Sequence, residues 1–219
     1  MRPMRRLMLA ATAMLAVSAT LPAMSQAAGP GYTTLSTPVA ATAPGKKVEV
    51  IEFFMYTCPH CYSLDPLLEE WVKKQGDRIV FKRLHFAQGP TDPLAHAYVT
   101  LEAMGQTELV HSKILRAIHG ERQRIYRSDE QMKEFLVKNG VDKTRYEQLF
   151  NSFSVQTKMK SLASTISKYQ VSSAPTLVVD GRYMTSPSIA GTGMSETQAG
   201  RQTMAVLDQL VAKAAAEKK

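Results

Sequence analysis

Two cysteines make up the whole thiol inventory of this 219-residue chain, and they stand close together in Cys58-Pro59-His60-Cys61. A disulfide across that spacing closes almost no loop, so it removes little entropy from the unfolded chain and stabilises little. The spacing suits exchange chemistry instead. At the start of a helix one thiol faces the unpaired N–H groups of the first turn, which act like roughly half a positive charge and favour thiolate. His60, when cationic, favours it further. The second thiol waits one turn behind, able to resolve a bond made by the first. Cys58 is the expected nucleophile and Cys61 its buried resolving partner, with Pro59 and His60 between them. The pair reads as a redox centre.

Other uses of two cysteines fit poorly. A zinc site needs two more ligands, and the chain has neither a second cysteine pair nor a paired-histidine motif. Haem attachment requires a histidine directly after the second cysteine, where Tyr62 stands. His85, His96, His111 and His119 lack ligand-like spacing and read as helix-surface or satisfied core residues. No metal is expected, and no cofactor beyond a redox-active Cys58–Cys61 disulfide.

The elements around the pair follow from pattern. Val48-Glu49-Val50-Ile51-Glu52-Phe53-Phe54 is the apolar, β-branched and aromatic run of a buried central strand. Pro59 cannot continue a strand but suits the first turn of a helix. Leu64, Leu67, Leu68, Trp71 and Val72 then give that helix an apolar stripe that closes near Gly76. Ile79 to Phe86 is a second strand. From Thr91 to about Tyr169 the pattern is helical throughout. Asp92, Ser128 and Asp142 serve as N-terminal caps, and the apolar stripes include Leu109 and Phe153. Strand character returns at Thr176 to Val179, Asp180-Gly181 signals a hairpin, and Ser195 to Ala216 forms a last helix. An all-helical block flanked by strands predicts an α/β domain with a helical domain inserted in it.

Two residues need their surroundings to be read. Glu52 lies among apolar neighbours, where an unpaired carboxylate is costly, so it should be protonated or paired; an edge-exposed carboxylate is the alternative. Pro175 at the first position of a strand could be ordinary edge chemistry.

Residues 1–27 have the form of a secretory signal. Arg2, Arg5 and Arg6 form a basic start, Leu7 to Leu21 an apolar run too short for a comfortable membrane span, and small residues around Ala27 offer a cleavage site. An uncleaved anchor is the weaker alternative. Removing three arginines and no acids lowers the formal charge from +8 to +5. The remaining cations are interspersed with acids, which argues against a nucleic-acid partner. Export places the cysteine pair in an oxidising compartment, where a disulfide persists.

Glu52-Phe53-Phe54 before Cys58-Pro59-His60-Cys61-Tyr62, and Val178-Val179-Asp180-Gly181-Arg182-Tyr183 after Pro175, resemble the DsbA family of periplasmic thiol:disulfide oxidoreductases in the thioredoxin superfamily. Tyr32-Thr33-Thr34-Leu35 and Pro38-Val39 match that family's N-terminal strand region. The resemblance spans essentially the whole mature chain. It implies a thioredoxin-like fold from residues 28–87 and 163–219, with the helical insertion at 88–162. It implies a periplasmic monomer that donates its disulfide to unfolded exported proteins through a mixed disulfide at Cys58. A quinone-linked membrane oxidase of the DsbB type would then reoxidise it. It makes Pro175 a cis-proline beside Cys58, with Ala174, Pro175 and Thr176 receiving the client, and Ala174 stands where the best-known oxidants of the family carry Val. It also places Glu52 beneath the cysteine pair, assisting proton transfer, with Arg83 replacing a lysine that could pair with it. An isomerase or reductant using the same site is one alternative, although about 20 residues before Val48 are too few for a dimerisation domain. A non-catalytic binding module is the other, and an activated thiolate argues against it.

Overall fold

The computed structural model describes residues 31–87, 89 and 91–218. The signal segment therefore lies outside the described residues, as do Gln88 and Pro90 at the expected start of the insertion. Five strands form one mixed sheet: β1 (Thr33–Thr34), β2 (Val48–Phe54), β3 (Ile79–His85), β4 (Thr176–Val179) and β5 (Tyr183–Thr185), in the order β1-β5-β4-β2-β3. β2 and β3 run parallel and the other pairs antiparallel. All seven residues of β2 are buried, because strands flank both its edges and packed elements cover both faces.

One face of the sheet packs on α1 (Pro59–Gln75) and α8 (Glu196–Glu217). There Val48, Val50, Leu177 and Val179 meet Leu64, Leu68, Trp71, Leu207 and Leu210. Between β3 and β4 lie α2 (Pro93–Met104), α3 (Thr107–Leu115), a single π turn at Arg116–Gly120, α4 (Asp129–Lys138), α5 (Lys143–Phe150) and α6 (Phe153–Lys168). A second core joins this helical block to the opposite face through Ile51, Phe53, Phe54, Tyr98, Leu101, Ile114 and Ile166. The expected caps are in place. Asp92 accepts from Leu94 and Ala95, Ser128 from Gln131, and Asp142 from Arg145.

Two turns fix the far side of the domain. Asp180 (φ 51°) and Gly181 (φ 62°) both adopt left-handed geometry, and Arg182 N–H donates to Val179 O at 3.0 Å. That is the paired-positive-φ hairpin the dipeptide signalled. α7 (Pro187–Ala190) then leads to Gly191, where a Cβ would sit 2.4 Å from Ala199 Cα. Glycine there lets the start of α8 dock closely.

The structure departs from the sequence pattern in a few places. β3 ends at His85, although Phe86 N–H still donates to Phe54 O at 2.6 Å. Phe153 is 87% exposed and is not core: the chain breaks after Phe150, and Ser152 caps a new helix whose first turn points that ring outward. Leu109 is likewise exposed, and its stripe turns from α3 into the π turn rather than ending as one regular helix.

Candidate active site

Cys58 is the N-cap of α1 in extended backbone (φ −86°, ψ 115°), and Pro59 takes the first helical position, where its missing N–H costs nothing. Cys58 N–H donates to Met55 O at 3.1 Å and Tyr62 N–H to Cys58 O at 3.2 Å, which holds the sulfur over the helix mouth. Both cysteines are free thiols. Their surroundings differ sharply. The Cys58 thiol is pulled down to about 6, chiefly by a hydrogen bond from the Cys61 thiol, with help from the backbone N–H groups of Cys61 and His60 and from the His60 charge; burial opposes these. Cys61 is pushed far up by holding that same hydrogen bond and by burial. One group gains a thiolate at the other's expense.

The His60 contribution is smaller than its position between the cysteines suggests. Its Nδ1 lies 2.8 Å from Glu196 Oε1 on the first turn of α8, and both side chains are more than half exposed. The carboxylate raises the imidazole's pKa. The ring therefore stays cationic more readily while its charge is partly cancelled where it stands.

Ala174 and Pro175 come to Cys58 from the far end of the sequence. The Ala174–Pro175 bond is cis, and the Cys58 thiol lies 3.4 Å from Ala174 O. Thr176 opens β4, is buried, and donates from its hydroxyl to Ser173 O at 2.8 Å. Of the three residues expected to receive a client, Ala174 thus meets Cys58 directly, with Pro175 and Thr176 following it in sequence.

Glu52 is fully buried, so the edge-exposed alternative does not hold. Strand register sets it directly across from Arg83, and Arg83 Nε donates to Glu52 Oε2 at 2.9 Å. Arg83 is itself buried, and its other nitrogens reach Glu108 at 2.6 Å and Glu69. Burial works against its charge, but the carboxylates around it outweigh that and keep the guanidinium protonated. Burial pushes the Glu52 carboxyl up in spite of Arg83. Its charge is among those that raise Cys61. A buried carboxyl with a raised pKa, close enough for its charge to act on the resolving thiol, is suited to take and return a proton.

Three contacts were not read from the sequence. Tyr56 N–H donates to His85 Nε2 at 3.3 Å, and His119 Nε2 donates to Tyr56 O at 2.9 Å. Burial pushes His85 down to about 4, so its ring stays neutral and can accept. His119 also stacks on Tyr62, with ring centroids 5.4 Å apart. The third is Glu196 itself. His85, His111, His96 and His119 are all buried or half-buried rather than surface residues, and their partners lie on other elements, so spacing alone could not assign them. Among the described residues no cluster could hold a metal ion.

A two-thiol helix start on a central strand, facing a cis-proline loop, with helices inserted between the strands, defines a thioredoxin-fold thiol:disulfide oxidoreductase. The family model for a DSBA-like thioredoxin domain matches residues 49–199. Thiol:disulfide interchange protein DsbA of Bordetella parapertussis is 35% identical over 205 residues, covering 93% of this chain and 94% of that one. The protein of that name from Pseudomonas aeruginosa strain PAO1 is 38% identical over 199 residues, covering 89% and 92%. The crystal structure of Pseudomonas aeruginosa DsbA matches with a TM-score of 0.73 at 35% identity, over 86% of this chain and 95% of that one. A complex of Proteus mirabilis DsbA with a non-covalently bound peptide matches with a TM-score of 0.68 at 25% identity, over 84% and 97%. The chain belongs to the DsbA family. It is a protein thiol:disulfide oxidoreductase with a thioredoxin-like fold, and that family works through a cysteine pair without an external cofactor.

Proposed function

We propose that the protein oxidises exported client proteins by passing on the Cys58–Cys61 disulfide. A client thiolate attacks Cys58 Sγ, the Cys58–Cys61 bond breaks, and Cys61 leaves as a thiolate that takes a proton by way of Glu52. The client's second thiolate then attacks the client sulfur of the mixed disulfide, and Cys58 leaves as thiolate. Two electrons pass from client to protein, and the client gains the disulfide. The observation that carries this reading is the split between the thiols: a Cys58 pKa of about 6 makes Cys58 a good leaving group at neutral pH and stabilises the reduced protein.

Client chain lies along Ala174, Pro175 and Thr176 in this reading; that the Proteus mirabilis relative holds a peptide non-covalently supports peptide binding as such. The same reading places the protein in the periplasm as a monomer, divides it into a thioredoxin-like domain of residues 28–87 and 163–219 around an insertion at 88–162, and has a quinone-linked membrane oxidase of the DsbB type restore the disulfide. Among the described residues no helix is long and apolar enough to cross a membrane.

Thiolate absorbance followed against pH in the reduced protein tests it. Cys58 should ionise near pH 6, and Cys61→Ala should accumulate mixed disulfides with exported thiol proteins. Titration in the ordinary thiol range with no trapped client would overturn the reading.

A further inference from the structure

On the helical block, a groove of about 830 Å³ runs between the π turn, the 121–127 loop and α4. Lys113, Arg116, Arg124, Arg127 and Lys138 line it, against only Glu121 and Glu134. Its apolar part is the buried Ile125 and the half-buried Phe135. Several cations elsewhere on this surface are neutralised locally. Lys74, Lys158, Arg182 and Lys218 each meet a carboxylate within 2.9 Å, and Lys133 on the other side of α4 meets two. Around the groove, Arg116, Arg124, Arg127 and Lys138 meet no carboxylate among the described residues, and Lys113 reaches only Asn139 O at 3.5 Å. Glu121 is held by Gln123 at 2.6 Å. A concave surface with five cations and so little internal neutralisation sustains a positive potential that concentrates anions.

The groove and the thiol site share a wall. On its inner side the π turn sets His119 against Tyr56 O and the Tyr62 ring, next to Cys61. On its outer side the same turn gives Arg116 and Ala117 to the groove. The π turn is thus the element common to the thiol site and the groove.

We propose that this groove is a client-docking site that takes acidic, partly apolar segments of the polypeptide being oxidised. The proposal rests on the exchange reading and adds a preference to it: clients with carboxylates flanking the reacting cysteine are captured faster. Contact is made through side-chain carboxylates to the five cations, with an apolar client residue over Ile125 and Phe135. Because the groove is open and solvated, its effect falls mainly on association and KM and weakens with salt.

The test uses the oxidised full-length protein and two synthetic two-cysteine peptides, identical except that one carries Asp/Glu and the other Gln in the flanking segment. The acidic peptide should be oxidised with a kcat/KM about tenfold higher at low salt, almost all in KM, with the advantage shrinking as ionic strength rises. Charge reversal by Arg124→Glu with Arg127→Glu should bring the ratio between the two peptides to unity or below, and the milder Arg124→Gln with Arg127→Gln should reduce it. Lys143→Glu with Arg145→Glu, an equal reversal at exposed positions outside the groove, should leave the ratio intact. Equal rates for the two peptides in the unaltered protein, or an acidic preference that survives both arginine pairs, would overturn the proposal. So would salt-sensitive binding to anionic phospholipid vesicles without any peptide preference, since the groove would then read a membrane surface. If neither peptide is oxidised, the exchange reading itself fails, and that result is distinct from the loss of preference.

Discussion

The two sulfurs of one short motif live in opposite worlds. Cys58, only 7% exposed, sits at the helix mouth, with helix N–H groups beneath it, Ala174 O 3.4 Å away and the solvent-exposed His60–Glu196 pair nearby. Cys61 faces inward, fully buried, with the raised carboxyl of Glu52 and the caged Arg83 behind it. Identical side chains three residues apart in sequence are thus driven to opposite acidities, down to about 6 for one and upward for the other. The lesson is that a dithiol becomes a directional device when its two ends have different surroundings, with the residues between the cysteines adding to the split.

The most severe way to break that asymmetry is to remove an end of it. Cys58→Ser should reduce peptide oxidation to the uncatalysed background, whereas Cys61→Ala should leave the first attack intact and trap the client, as seen by non-reducing gel electrophoresis. Next in size is the inner side. Arg83→Met leaves Glu52 buried without its partner and should lower unfolding stability by about 3–5 kcal/mol in denaturant melts. Adding Glu52→Gln to Arg83→Met should recover much of that loss. The double variant should nonetheless exchange more slowly, because no carboxyl remains to move the Cys61 proton. Equal loss in single and double variants would show that Arg83 is needed for packing rather than for charge.

A smaller effect is visible through pH. The Cys58 thiol is depressed in the folded reduced state, so its contribution is absent below about pH 6 and grows as pH rises towards the ordinary thiol range. At neutral pH it should favour the reduced form by on the order of 1 kcal/mol. Cys61 has the opposite sign: its raised pKa favours the fold below the ordinary thiol range and counts against it above. Melts of the reduced form relative to the disulfide form should therefore climb from pH 6 and turn over where an unfolded thiol ionises. A flat profile would mean the two thiols are not split. Least of all should be the change from the exposed pair. Glu196→Gln should lower the His60 pKa in NMR titrations towards that of an ordinary imidazole, and His60→Ala should raise the Cys58 pKa only modestly.

Much of this was legible in the chain. β2 announced itself by β-branched and aromatic residues in a run, and Glu52 stood out as an acid where none is comfortable. Pro59 behind Cys58 and the Asp180-Gly181 turn are signals carried by backbone chemistry, and both hold. What escaped depends on contacts between distant segments. Glu196 lies 136 residues from His60, and nothing in either neighbourhood points to the other. The four histidines lacked a shared spacing because their partners sit on other elements. Phe153 looked like core because periodicity cannot see a helix break, and Ser152 starts a new helix where the stripe seemed to continue.

The clamp on Tyr56 bears on how this architecture could be re-engineered. Its N–H is held by His85 from the sheet and its carbonyl by His119 from the helical block, immediately before the cysteine helix. A miniature enzyme made by joining β3 straight to β4 would keep the strands, both thiols and the cis-proline. It would lose His119, half of the clasp on the chain entering the cysteine helix, and the stacking partner of Tyr62. Such a trimmed scaffold should fold with a looser Cys58 loop and a less sharply tuned thiol. The insertion therefore belongs to the catalytic frame as much as to the surface, and a designer seeking a smaller oxidase would have to supply a substitute donor to Tyr56 O.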